Sequence, residues 1–286
     1  MDATTTRRSE PGRVARLIVT RPAAEAAHWV QVLHTHGWPA HALPLIDIGE
    51  PTSPEAQAAL QAWRCGWQRA DALMFVSGAA VNHFFAEGVA PPASPLLTRF
   101  WAPGPGTARQ LAQALARLGI APDRIDAPAA DAAQFDSEHL WPVVAPQVRA
   151  GCRILVVRGM SVDAPVSTGS VAGNGRDWLI RQCEAMGAQV DGCVAYERRP
   201  PVLREGDVQR MTEATKAGSV WLFSSSEALA ALRVLQPRAQ WGAATALATH
   251  PRIAQAAREA GFGRVIESRP GLDDVLCALE SERSTP

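Results

Sequence analysis

The 286-residue chain carries 28 basic and 28 acidic residues, and its formal net charge of zero excludes a nucleic-acid binder held mainly by overall charge. An apolar fraction of 47% against 20% charged residues describes a soluble globular protein with material for two cores. No apolar run approaches the roughly 18 residues of a membrane span, and five cysteines without a CxxC spacing read as reduced thiols of a cytoplasmic protein.

Residues 1–12 are polar, with Arg7-Arg8 but no apolar run behind them, and are expected to form a disordered tail, not a signal peptide. The first strand is expected at 16–20, over Leu17-Ile18-Val19-Thr20, leading to Arg21. Residues 23–36 are apolar at helical spacing and stop at Gly37, placed as a C-terminal cap. After a strand at 40–46, the turn-rich Gly49-Glu50-Pro51-Thr52-Ser53-Pro54 reads as a connector. The strand at 71–77 runs into Ser77-Gly78-Ala79. A serine N-cap and free backbone N–H groups there suit either capping alone or an anion. A strand at 98–102 precedes a similar turn, Gly104-Pro105-Gly106-Thr107-Ala108. Arg109 stands where a dinucleotide fingerprint needs its third glycine, which excludes that cofactor site. A helix over 107–118 ends at Gly119, and a strand follows at 123–127.

The second half opens with a strand at 152–158. Residues 159–175, rich in Ser, Gly, Ala and Val, then interrupt a connection that normally takes about two to six residues. They are expected to form a mobile loop at a strand's carboxyl end, where a lid would sit. Gly187 caps the next helix, and the strand at 188–196 ends on Tyr196, the one tyrosine of the chain. A phenol there either packs as an aromatic or donates a proton to a leaving group. Glu197-Arg198-Arg199-Pro200-Pro201 reads as a second connector. A strand at 218–224 leads to Ser224-Ser225-Ser226, one at 243–249 leads to His250-Pro251-Arg252-Ile253-Ala254, and Gly261 precedes the last strand at 263–267.

These elements repeat. Phe75-Val76-Ser77-Gly78-Ala79 parallels Phe223-Ser224-Ser225-Ser226, Pro105-Gly106-Thr107-Ala108 parallels Pro251-Arg252-Ile253-Ala254, and Leu17-Ile18-Val19 parallels Leu155-Val156-Val157. The order is A, B, A′, B′, a duplicated architecture. Strands alternating with helices predict an α/β fold of two similar lobes. Each lobe is expected to be a five-stranded parallel sheet flanked by helices. His28, His34, His36 and His41 crowd one stretch, but their spacing and lack of a carboxylate or cysteine partner predict no metal site. No GxSxG, GxxxxGK[ST] or HExxH occurs.

Over residues 14–282 the chain resembles the uroporphyrinogen-III synthase family. The resemblance rests on Val19-Thr20-Arg21-Pro22, Leu43-Pro44-Leu45-Ile46, Phe75-Val76-Ser77, Gly104-Pro105-Gly106-Thr107-Ala108, Gly175-Arg176-Asp177-Trp178-Leu179 and Val194-Ala195-Tyr196-Glu197-Arg198. It implies a discontinuous first domain, 1–46 with 200–286, a second domain, 50–197, and linkers at 47–50 and 197–201 that run side by side as a two-stranded hinge. It also implies a cofactor-free lyase that cyclises hydroxymethylbilane to uroporphyrinogen III. The terminal hydroxyl leaves, the substituted carbon of ring D attacks to give a spiro intermediate, and closure inverts ring D. Tyr196 matches the family's proposed proton donor. The loops imply carboxylate-binding roles for Ser77, Gly78, Ala79, Thr107 and Ala108, and for Ser225 and Ser226, with Arg21, Arg158 and Arg176 as charge partners. Where many members have Gly-Pro-x-Thr-Ala, this chain has His250-Pro251-Arg252-Ile253-Ala254, which removes a hydroxyl and offers Arg252 to a carboxylate. The resemblance implies a monomer and leaves open a transient contact with hydroxymethylbilane synthase. The alternative is a two-lobed protein that clamps an anion or tetrapyrrole without chemistry, or a scaffold that keeps only the fold.

Overall fold

The computed structural model describes residues 14–86, 89, 92, 96–129, 132, 134–161 and 176–283. They belong to two compact units, Met1–Asp47 with Pro200–Pro286, and Ile48–Arg199. The first unit holds β1 (Arg16–Val19), α1 (Ala23–Thr35) and β2 (Ala40–Ala42) from the start of the chain. The second holds β3 (Asp47–Gly49), α2 (Pro54–Gly66), β4 (Ala72–Phe75), α3 (Gly78–Phe84), β5 (Arg99–Trp101), α4 (Pro105–Arg117) and β6 (Ile125–Asp126). It continues with α5 (Ser137–Val144), β7 (Arg153–Ser161), α6 (Arg176–Ala185) and β8 (Gln189–Arg199). The chain then adds α7 (Asp207–Glu213), β9 (Ser219–Phe223), α8 (Ser226–Leu235), β10 (Thr245–Ala248), α9 (Pro251–Glu259), β11 (Arg264–Glu267) and α10 (Leu272–Arg283) to the first unit.

The sheet orders are β11-β10-β9-β1-β2 and β3-β8-β7-β4-β5-β6. Pairing is parallel from β2 through to β11 and from β8 through to β6. Each repeat-related set therefore has one spatial order: the second and first strands of the A-type piece, then the three strands of the B-type piece. In such a sheet the order reverses once, between β1 and β9 in one unit and between β7 and β4 in the other. The crevice outside the strand carboxyl ends at that reversal is where open α/β sheets bind ligands.

Both central strands read as continuous apolar runs because helices cover both faces: Ala72–Phe75 and Ser219–Phe223 are buried throughout. On one face of the first sheet, Trp29 and Leu33 of α1 and Val275 and Leu279 of α10 pack against Leu17, Val19 and Leu222. Trp221, Phe223, Trp241 and Phe262 form a second aromatic cluster in that unit, with centroids 5.3–6.0 Å apart.

The four glycines expected at helix ends all adopt left-handed backbone, with φ of 76, 70, 81 and 90° at Gly37, Gly119, Gly187 and Gly261. Each closes its helix with the same pair of bonds, for example Gly187 N to Glu184 O at 2.9 Å and Ala188 N to Cys183 O at 3.1 Å. This is the Schellman motif, and only glycine enters it without strain.

Three expectations are corrected. The strand expected over 40–46 stops at Ala42: Leu43 N still bonds Val19 O at 2.9 Å, but the fixed φ of Pro44 ends the regular ladder, and Leu45 N turns to Thr20 O at 3.3 Å. Both supposed connectors begin as strand: Asp47–Gly49 is β3, and β8 extends to Arg199, so the second sheet has six strands, not five. Arg199 locks the pair by donating to the Glu50 carbonyl, its guanidinium lying where a side chain on Gly49 would project. Finally, Gly159–Ser161 is the end of β7, not loop; residues 162–175 lie outside the described residues.

Candidate functional site

The site is built around a break in the β7–β8 ladder. Arg158 pairs with Val194 and Gly159 with Tyr196, leaving Ala195 as the extra residue of a β-bulge. Strict alternation fails there, and Ala195, Tyr196 and Glu197 are buried in succession. The Tyr196 side chain, 2% exposed, lies across Gly159, where any Cβ would overlap the ring.

The phenol oxygen has two partners. Ser77 Oγ stands 3.1 Å away, and Arg198 Nη2 donates to the oxygen at 3.1 Å. Arg198 also reaches Ser161 Oγ at 3.4 Å through Nη1, and its guanidinium carbon is 5.4 Å from the Tyr196 ring centroid. Ser77 follows β4 in extended backbone and N-caps α3, its Oγ accepting from Ala80 N at 3.2 Å. With one lone pair accepting from Ala80 N, the serine keeps a hydrogen and a second lone pair, so either hydroxyl can donate in its contact with the phenol. The ring of His83 stacks on Tyr196 at 5.7 Å and 29°. Burial pushes the His83 pKa down, Glu50 opposes this and Arg64 adds to it; the net direction is down, so the ring is neutral at pH 7.

The other expected residues distribute as follows. Gly78 and Ala79 open α3, and Thr107 and Ala108 lie in the first turn of the adjacent α4, with Gln110 of α4 against Gly78. The N-cap of α4, Gly104, supplies no side-chain acceptor, and Phe135 fills the space beside it. Arg158 leaves β7 with a buried Nε that finds no hydrogen-bond partner among the described residues. Arg176 begins α6, and its side chain lies outside the described residues.

In the first unit, Thr20 Oγ1 donates to Leu222 O at 2.7 Å, tying β1 to β9 at the strand reversal. Ser225 N-caps α8, accepting from Glu227 N at 3.1 Å. Ser224 Oγ and Ser226 Oγ on either side are buried without a partner among the described residues. Arg21 is held locally: it donates to Glu25 at 2.8 Å and to Pro270 O at 3.2 Å, and lies 3.9 Å over the Trp29 ring. Arg252 is exposed in the first turn of α9, where its N–H donates to His250 Nδ1 at 3.1 Å. Of the four clustered histidines, His34 and His36 bond the nearby carbonyls of Ala40 and Val32.

The structure thus joins Ser77 to Tyr196, and adds Arg198, His83, Gly159 and Ser161, which sequence reasoning did not assign. Arg198 had a signal: two residues beyond Tyr196 on a strand, it shares the tyrosine's face.

Two repeat-related α/β units, each with serine-bearing loops at the carboxyl edge of a parallel sheet, define the class. The family model described as Uroporphyrinogen-III synthase HemD matches residues 27–277, and the chain belongs to that family. Membership makes it an enzyme of tetrapyrrole synthesis. Among solved structures, it is similar to a mutant uroporphyrinogen III synthase from the extremely thermophilic bacterium Thermus thermophilus, at 17% identity over 93% of this chain and 98% of that one, TM-score 0.50. It is also similar to uroporphyrinogen-III synthetase from Helicobacter pylori, at 15% identity over 93% and 98%, TM-score 0.53. At these identities the likeness is one of fold. No curated protein matches the sequence. No helix among the described residues is long and apolar enough to cross a membrane.

Proposed function

We propose that the chain is a lyase that cyclises hydroxymethylbilane to uroporphyrinogen III, with Tyr196 as proton donor to the leaving hydroxyl. The observation that carries this reading is the phenol oxygen of the chain's one tyrosine, bracketed by Ser77 and Arg198 at 3.1 Å each. Tyr196 gives its proton to the terminal hydroxyl; the C–O bond breaks with its electron pair going to oxygen, and water leaves. The cation left on the bilane is attacked by the substituted carbon of ring D, and the spiro intermediate reopens and closes with ring D inverted. Restoring the aromatic ring releases one proton, which returns to the phenolate, so the balance is hydroxymethylbilane to uroporphyrinogen III and water.

The substrate's carboxylates need donors spread along the bilane. The starts of α3 and α4, with Ser77, Gly78, Ala79, Thr107 and Ala108, offer backbone N–H groups and dipole ends. Ser225, Ser226, Arg21, Arg158, Arg176 and Arg252 are the further carboxylate contacts in this reading. Spontaneous closure gives the uninverted type I isomer, so the protein's main contribution is to hold the bilane for attack at the crowded carbon. The test is to supply hydroxymethylbilane, oxidise the products and separate the isomers. Type III in excess supports the reading; type I alone, as in a protein-free blank, overturns it in favour of an anion-binding protein without catalysis.

A further inference from the structure

We propose that Arg198 is a positioning residue that, with Ser77, forms a two-donor cradle for the Tyr196 oxygen, leaving the phenol proton aimed at the substrate. This rests on reading Tyr196 as the proton donor. A phenol oxygen has one hydrogen to give and lone pairs to receive. Arg198 can only donate, so it occupies one acceptor site at 3.1 Å. Ser77 Oγ lies at the second site at 3.1 Å; it accepts from Ala80 N and keeps its own hydrogen, which the cradle assigns to the phenol oxygen. The phenol hydrogen is then directed away from both partners. Once that proton leaves, the phenolate already faces a serine hydroxyl and a guanidinium, and nothing needs to reorganise as the charge develops.

The local fold keeps the parts in place. The bulge at Ala195 sets the tyrosine into the buried layer, Gly159 gives the ring its seat, and neutral His83 covers it without a second positive charge. Arg198 folds back over the ring from two residues along the same strand, and its other arm is fixed on Ser161 Oγ. A charge-assisted donor of this kind is roughly twice as strong as a neutral one, which makes Arg198 the larger half of the cradle.

The single tyrosine makes the test direct. Protein labelled with 13Cζ-tyrosine gives one resonance, which reports hydrogen bonding at that oxygen. We expect it to move in Arg198→Met and in Ser77→Ala, and to lie between parent and Arg198→Met in Arg198→Lys. With hydroxymethylbilane, Arg198→Met should lower kcat by about 10- to 100-fold, less than the whole contribution of a general acid, with KM within about twofold and partial recovery in Arg198→Lys. A resonance unmoved by Arg198→Met overturns the cradle. A raised KM at constant kcat also overturns it, making Arg198 a carboxylate contact. Tyr196→Phe is measured beside them: full activity there sinks the proton-donor reading, whereas loss in Tyr196→Phe with none in Arg198→Met sinks the cradle alone.

Discussion

The ring of Tyr196 takes the place of a side chain on Gly159, its partner across the β7–β8 ladder. The glycine and the tyrosine are one unit: the first exists as an absence that the second fills. Gly159→Ala should therefore drive the ring off its seat and its oxygen away from Ser77 and Arg198. Overpacking of this kind costs about 1–3 kcal/mol, more than the ~0.5–1 kcal/mol that alanine gains over glycine in a strand. Urea unfolding should show a net loss and turnover should fall with it; a variant as stable and active as the parent would refute the pairing.

Gly187 and Gly261 close their helices, one in each unit, with the same motif, but their surroundings differ. Both have positive φ, so alanine strains either by roughly 1–2 kcal/mol. A Cβ on Gly261 meets nothing within 4 Å, whereas one on Gly187 comes within 3.2 Å of Ala150 Cα and Cβ. Gly187→Ala should accordingly lower the unfolding midpoint more than Gly261→Ala. Equal losses would mean that backbone strain alone decides the effect.

The same glycines show how far the sequence reaches. Their spacing after apolar helical runs was sufficient to place all four caps, since a Schellman ending is local and its chemistry sits within six residues. The parallel sheets were legible for a related reason: Leu73-Met74-Phe75 and Val220-Trp221-Leu222 are apolar on both faces. Strand β3 was not legible. Asp47-Ile48-Gly49 is short, lies among turn-forming residues, and is a strand only because β8, far along the chain, pairs with it. The candidate site divides the same way. Ser77 announces itself as a cap, and Tyr196 by being the one tyrosine, but their contact spans 119 positions of sequence and follows from a one-residue bulge that no periodicity predicts. Arg198, read as part of a connector, became a partner of Tyr196 once β8 proved to run past it.

Glu197 offers a test of the strand extension itself. Its buried carboxylate accepts from Thr52 N at 3.0 Å and Thr52 Oγ1 at 2.8 Å, and Arg199 lies 3.3 Å away. Burial alone would raise its pKa, but the two Thr52 bonds and Arg199 outweigh that and hold it below the usual 4.5. A depressed carboxylate stabilises the fold fully above its unfolded value, and that contribution disappears as pH falls through the folded value. Glu197→Gln should cost about 2 kcal/mol at pH 7, the range of hydrogen bonds to charged groups. The gap to the parent should narrow below pH 4.5. An unchanged gap across that range would show that charge at Glu197 contributes nothing.

His83 makes the opposite kind of group titrate with the same sign. Its folded pKa is depressed below 6.5, chiefly by burial against the Tyr196 ring, with Arg64 adding to the effect and Glu50 opposing it. The unfolded chain therefore takes up a proton at His83 before the folded chain does, and stability is lost as pH drops below 6.5. Protonation in the folded state would also set an imidazolium beside Arg64, which already donates to the His83 and Phe84 carbonyls. His83→Phe keeps an aromatic face on Tyr196 and removes the titration. Its urea midpoint should fall less than the parent's between about pH 7.5 and pH 5.5, and the two curves should converge or cross on acidification. Parallel curves over that interval would show that His83 is as easily protonated folded as unfolded, and that its stacking on Tyr196 does not depend on a neutral ring.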